Sequence, residues 1–146
     1  MIVKTTISGW GNYPKHEAQL LTPSSCAAVQ AEIRQERTLI PRGMGRSYGD
    51  SANASRVLQT SYCDHFLEFD FKAGQLTAEA GITLREILKV IVPRGWFLPV
   101  TPGTSYVTLG GAIASDVHGK NHHSSGTFGQ HVKSISMVLG TGEVVT

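Results

Sequence analysis

Thr38-Leu39-Ile40-Pro41-Arg42-Gly43-Met44-Gly45-Arg46-Ser47-Tyr48-Gly49-Asp50 is the stretch on which the reading of this chain turns. Thr38-Leu39-Ile40 reads as a short strand stopped by Pro41, which has no N–H to give a ladder. The loop that follows holds Gly43, Gly45 and Gly49 within seven positions. A residue without Cβ lets bare backbone amides approach an anion closely, so a phosphate cradle is one reading and a set of ordinary turns the other. The dinucleotide fingerprint fails letter by letter, because Tyr48 stands where its third glycine belongs.

A second glycine-rich segment, Thr108-Leu109-Gly110-Gly111-Ala112-Ile113-Ala114, reads as a short helix capped by Thr108 with two glycines in its first turn. Pro99 to Thr104, just before it, is turn-rich. Gly119-Lys120 fails as a P-loop, since the leading glycine position is Ala114 and the Ser/Thr position is Asn121. His118-Gly119-Lys120-Asn121-His122-His123 places two histidines four apart, a metal-binding spacing on a helix. Gly119 and Asn121 are poor helix formers and no third ligand is in sight, so no metal is expected. The run reads as a polar active-site loop, with a hydrogen-bonded structural loop as the alternative. Ser47 lacks the Gly-x-Ser-x-Gly elbow, which disfavours a hydrolase.

Working outward, Thr22-Pro23-Ser24-Ser25 opens a helix to about Gln35, with Cys26, Val29 and Ile33 on one face. Phe66 to Phe71 and Gln75 to Ala80 flank Lys72-Ala73-Gly74 as a hairpin. Thr83-Leu84-Arg85-Glu86 is a capping box opening a helix with Leu84, Ile87, Leu88 and Ile91 as its apolar stripe, ended by Pro93. Lys133 to Leu139 alternates as a strand, Gly140-Thr141-Gly142 turns, and the chain stops inside a further strand. Trp10 and Trp96 are expected as core anchors at turns.

With 146 residues, 40% of them hydrophobic and 16% charged, the chain is read as one globular domain over 1–146, of α+β class with mixed sheets and flanking helices. The net charge of +2 is scattered, giving nucleic-acid binding no support. No apolar run approaches the ~18 residues of a membrane span, and a soluble chain is expected. Cys26 and Cys63 are too few for a disulfide framework; buried or inert thiols in a reducing compartment are expected.

Pro41 to Asp50, Pro102-Gly103-Thr104, and Thr108 to His123 together resemble the FAD-binding domain of the vanillyl-alcohol-oxidase-type, or PCMH-type, FAD-linked oxidases. The likeness starts at Gly9-Trp10-Gly11 and runs to the last residue. It implies that Pro41, Arg42, Gly43, Met44, Gly45, Arg46, Ser47, Tyr48, Gly49, Asp50 and Ser51, with Gly103, Thr108, Leu109, Gly110, Gly111, Ser115, Asp116, Val117 and His118, contact FAD. The first loop and the Thr-Leu-Gly-Gly turn would hold the diphosphate, which suits exposed amides at a helix start. Tyr48, His118 and Lys120 would face the flavin or the substrate. Relatives that attach FAD covalently carry histidine at the position of Arg46, so non-covalent FAD is expected.

The implied chemistry is oxidation of a sugar hydroxyl, on a lipid-linked ribose or, as close variants, a sugar lactone or polyol. A reductase partner completing an epimerisation and a cytoplasmic location, peripheral at the inner membrane at most, follow from the same likeness. The principal base and the substrate cap are expected beyond Thr146, leaving the 146 residues inactive alone. A nucleotide-binding module without redox chemistry is the alternative from another class.

Overall fold

In a computed structural model, residues 2–35 and 38–146 are described. They form two compact units, Met1–Cys63 with Ser134–Thr146, and Asp64–Lys133.

The first unit is built on a four-stranded sheet. β1 (Ile2–Ser8) pairs antiparallel with β2 (Lys15–Leu21), Ile2 opposite Leu21 and Ser8 opposite Lys15. β3 (Ile40–Arg42) and β4 (Arg56–Gln59) add parallel pairings, giving the order β1-β2-β4-β3. Ile7, Ala18 and Val57 form its buried cluster, with Leu20, Ile40 and Ala54 against them. Removing side chains of that size from water stabilises by about 1.5–3 kcal/mol each for the larger ones. The strand at the glycine-rich loop begins at Ile40 and runs through Pro41 to Arg42, so Pro41 does not stop it. β3 is the edge of the sheet, where a missing N–H leaves no ladder bond unmade.

Helix α1 (Cys26–Gln35) starts where the hydroxyls predict, the Ala28 amide donating to Ser25 Oγ at 3.2 Å. Cys26 is exposed, contrary to the expected apolar face, whereas Cys63 is buried and donates to the Pro23 carbonyl at 3.4 Å. The predicted strand over Lys133–Leu139 contracts to β7 (Met137–Val138), paired with β8 (Val144–Val145). Only this short length finds a partner strand. The Gly142 carbonyl then accepts from Gln30 Nε2 at 2.7 Å and Arg34 Nη2 at 3.1 Å, tying the hairpin to α1.

In the second unit, β5 (Phe66–Asp70) and β6 (Gln75–Ala78) form the predicted hairpin, its first arm ending one residue early and its second two. Just past β6, Glu79 still faces His65: its amide donates to the His65 carbonyl at 2.9 Å and their side chains are 2.6 Å apart. Helix α2 (Leu84–Ile91) carries the complete capping box, with Leu84, Ile87 and Ile91 buried and Leu88 half-buried. A 3-10 turn, Val92–Arg94, follows and contains Pro93. α3 (Leu109–Ala114), α4 (His122–Ser125) and a second 3-10 turn, Phe128–His131, complete the unit. Its core joins Ile82, Leu84, Ile87, Ile91, Val100, Ala112 and Phe128. Trp10 is 53% exposed and Trp96 36%, so neither is the buried anchor expected: Trp10 lies under Arg46, and Trp96 packs edge-on to Phe69. No helix among the described residues is long and apolar enough to cross a membrane.

Candidate functional site

The glycine-rich bend leaving β3 is polarised in its hydrogen bonding. The Arg42 carbonyl accepts from the Thr60 amide at 3.0 Å, Gly43 from Gln59 Nε2 at 3.0 Å and Ser47 from the Trp10 amide at 3.0 Å. The Tyr48 carbonyl accepts from Ser51 Oγ at 3.3 Å and Asp50 from the Asn53 amide at 2.8 Å. The backbone N–H groups of residues 43–49 find no acceptor among the described residues. Within the bend three carbonyls, those of Gly43, Ser47 and Tyr48, are taken while none of the amides is, so backbone donors are left in excess, an imbalance that suits an anion.

Two guanidinium groups strengthen that preference. Arg42 is half-buried and donates from Nη1 to the Ala52 carbonyl at 3.0 Å and Asn53 Oδ1 at 2.7 Å, and from Nη2 to the Ser8 carbonyl at 2.8 Å. Burial, then the neighbouring Arg46 charge, lowers its pKa. Arg46 is exposed and stacks on Trp10, 5.2 Å from the ring centre. Neither pairs with a carboxylate among the described residues. Two cations held together without a counter-ion constitute a site in want of an anion. An open hollow of about 470 Å³ lies here, lined by residues that include Ser8, Trp10, Asn12, Arg42, Gly45 and Arg46.

Glycine is required at position 45, whose φ is +62° and where a Cβ would lie 2.1 Å from Arg42 Nη2. Sequence reasoning missed Ser8, Asn12 and Gln59, which shape this region, and read Trp10 only as core. The signal available was Gly9-Trp10-Gly11, a bend at the end of a β-branched run. Tyr48, Asp50 and Ser51 are exposed beside the bend, Tyr48 at 84%.

The second glycine-rich segment works differently. Thr108, buried, caps α3 by accepting from the Gly111 amide at 3.1 Å. The Leu109 amide donates to the Ile82 carbonyl at 2.7 Å and the Gly110 amide to Ala80 at 2.8 Å. α2 returns the pattern, the Leu84 amide donating to Val107 and the Arg85 amide to Ser105, each at 3.0 Å. The two helix starts thus exchange their orphan amides around the Thr83–Thr108 bridge. The free donors expected at Leu109, Gly110 and Gly111 are consumed inside the unit. What Gly110 provides is close approach, since a Cβ there would lie 2.9 Å from that of Ala80.

Beyond α3, Asp116 Oδ1 accepts from the Gly129 amide at 2.8 Å, and the Val117 carbonyl accepts from Phe128 at 2.9 Å. Gly103, Ser115, His118 and Lys120 are exposed, and the His118 ring meets His122 edge-on at 5.3 Å. The histidine run is held by Asn121 Nδ2, which donates to the Pro99 carbonyl at 2.9 Å and Ser125 Oγ at 3.0 Å. It is therefore a pinned loop leading into α4 rather than one helix. Among the described residues no group of three or more His, Cys, Asp or Glu side chains is disposed to hold a metal ion.

Residues 14–146 match the family described as FAD binding domain. The chain is 38% identical over 145 residues to decaprenylphosphoryl-beta-D-ribose oxidase of Mycolicibacterium smegmatis, covering 94% of this chain and 32% of that protein. It is 28% identical over 127 residues to L-gulonolactone oxidase 5 of Arabidopsis thaliana, covering 86% of this chain and 22% of that protein. The chain thus spans less than a third of the length of either curated relative. Among solved structures, alkyldihydroxyacetonephosphate synthase shares the fold, with a TM-score of 0.74 at 22% identity over 87% of this chain and 25% of that one.

Proposed function

Because the chain belongs to the FAD binding domain family of FAD-linked oxidoreductases, with FAD as cofactor, we propose that it is the cofactor-binding portion of an enzyme oxidising a sugar CH–OH group, with a polyprenylphosphoryl-ribose-type substrate. The observation that carries the cofactor's placement is the first bend: acceptor-free amides at 43–49 and two guanidiniums without a counter-ion fit a diphosphate. The sugar substrate rests on the likeness to the ribose oxidase, and a sugar-lactone oxidase is the close variant suggested by the gulonolactone oxidases.

Pro41 to Ser51 supply the diphosphate side of the site in this reading. Gly103, Thr108 to Gly111 and Ser115 to His118 contribute by close approach and shape, since the amides that open α3 are already taken. Bound FAD supplies the two-electron acceptor for hydride leaving the carbinol carbon. Tyr48, His118 and Lys120 are each exposed, and they are the residues that the likeness to the FAD-linked oxidases would assign to the flavin or the substrate. Holding substrate rigidly against the cofactor is how such a scaffold lowers a barrier. A reductase acting on the ketone product is the partner that would complete an epimerisation.

Three measurements test this. FAD and ADP each raise the Tm of the full chain, by linkage to the folded state. No shift with either overturns the cofactor reading. FAD is released on acid precipitation, because the Arg46 guanidinium offers no histidyl bond; flavin that stays with the pellet refutes non-covalent binding. Anaerobic bleaching of bound flavin by a polyprenylphosphoryl ribose, and not by a sugar lactone, checks the substrate when it is measured on a polypeptide that carries this domain together with a substrate cap.

A further inference from the structure

Arg42 carries more than charge. Its guanidinium is half-buried with no carboxylate beside it, and burial of an unpaired cation is costly unless hydrogen bonds offset it. Its three bonds reach two separate segments: Ser8 closes β1, Ala52 and Asn53 lie side by side at the exit of the bend before β4, and Arg42 itself stands at the entry. The fork therefore clamps both ends of the bend to each other and to β1. The backbone at Gly45 lies directly against it, close enough that no Cβ fits between.

We propose that Arg42 is the positioning residue of the diphosphate bend: its forked guanidinium is the strut that holds the 43–49 amides unpaired and turned to bind. This rests on the FAD reading for the identity of the anion, but the strut itself is a property of the chain. Lysine at 42 would keep the charge and lose the fork, because one ammonium cannot satisfy three acceptors in the plane a guanidinium spans.

The test compares the full chain with its Arg42→Lys variant by 1H–15N spectra, Tm and FAD titration. The 43–49 amide resonances are displaced in the variant without ligand, while those of α2 stay in place. The dissociation constant for FAD rises about tenfold or more, the scale expected for disrupted charge-assisted hydrogen bonds. Bend resonances that remain at their original positions overturn the proposal. So does a lowered Tm with unchanged FAD affinity at a temperature where the variant is fully folded, because Arg42 then serves stability alone. If the unaltered chain fails to bind FAD, the cofactor reading falls and the ligand-free spectra decide the strut separately. If Arg42→Lys does not fold, Asn53→Ala, which removes only the 2.7 Å arm, replaces it. Displacement of the bend resonances in that variant supports the strut, and their constancy overturns it.

Discussion

Replacing Gly45 by alanine separates two physical effects that one loop presents side by side. Gly45 and Gly49 share a φ of +62°, so an added Cβ suffers the same left-handed strain at each, about 1–2 kcal/mol. At Gly49 the Cβ meets nothing within 4 Å. At Gly45 it lies 2.1 Å from Arg42 Nη2 and 2.6 Å from Cζ, so the guanidinium must move. The atom displaced is the one that donates to the Ser8 carbonyl at 2.8 Å, and losing a hydrogen bond from a charged donor costs about 1.5–3 kcal/mol. Gly45→Ala is thus expected to destabilise by about 2.5–5 kcal/mol and Gly49→Ala by about 1–2 kcal/mol. Urea unfolding of both variants, compared at unchanged slope, reads the difference directly. If Gly45→Ala proves no more destabilising than Gly49→Ala, the guanidinium is not packed against that backbone and the account of the bend is refuted.

Thr108→Ala removes a buried hydroxyl that caps the Gly111 amide, and should cost about 1–2 kcal/mol while Thr108→Ser costs little. Thermal melts of both variants check this, and equal losses would assign the effect to the methyl group. The His65–Glu79 pair predicts a pH dependence confined to the hairpin. Hydrogen bonding to Glu79, then its charge, raises the His65 pKa above the unfolded 6.5, so its contribution is full below that value and is lost as pH rises through the folded pKa. Burial pushes Glu79 up, but bonds from the His65 amide and ring outweigh it and leave the folded pKa below 4.5. Its contribution is present above 4.5 and is lost as pH falls through that lowered value. The pair is therefore strongest between about 4.5 and 6.5, and His65→Ala should flatten the stability profile at both edges of that window. An unchanged profile would show the contact to be idle, as many exposed pairs are.

The local rules written in the sequence were enough for elements whose partners lie within a few residues. The Thr83–Glu86 capping box, the Ser25 hydroxyl start of α1 and the Lys72-Ala73-Gly74 hairpin are of this kind, since each bond closes over a short loop. The glycine density at 43–49 also marked a stretch whose main chemical feature is its backbone amides, and those amides find no acceptor among the described residues. The resemblance to the FAD-linked oxidases was carried by the same residues and by the histidine run.

Only tertiary structure decided which amides stay available. Gly43 to Gly49 and Thr108 to Gly111 look alike as text, yet the first set keeps its donors and the second spends them on Ile82, Ala80 and Thr108. Thr108 is the local cap, but Ile82 and Ala80 come from the segment leading into α2, which no local pattern announces. The same holds for the strand through Pro41, permitted because β3 falls at a sheet edge, and for Lys133–Leu139, which lacks a partner over most of its length. A sequence states what each residue offers; whether a donor, an edge or a cation is left over depends on what distant chain segments bring to it.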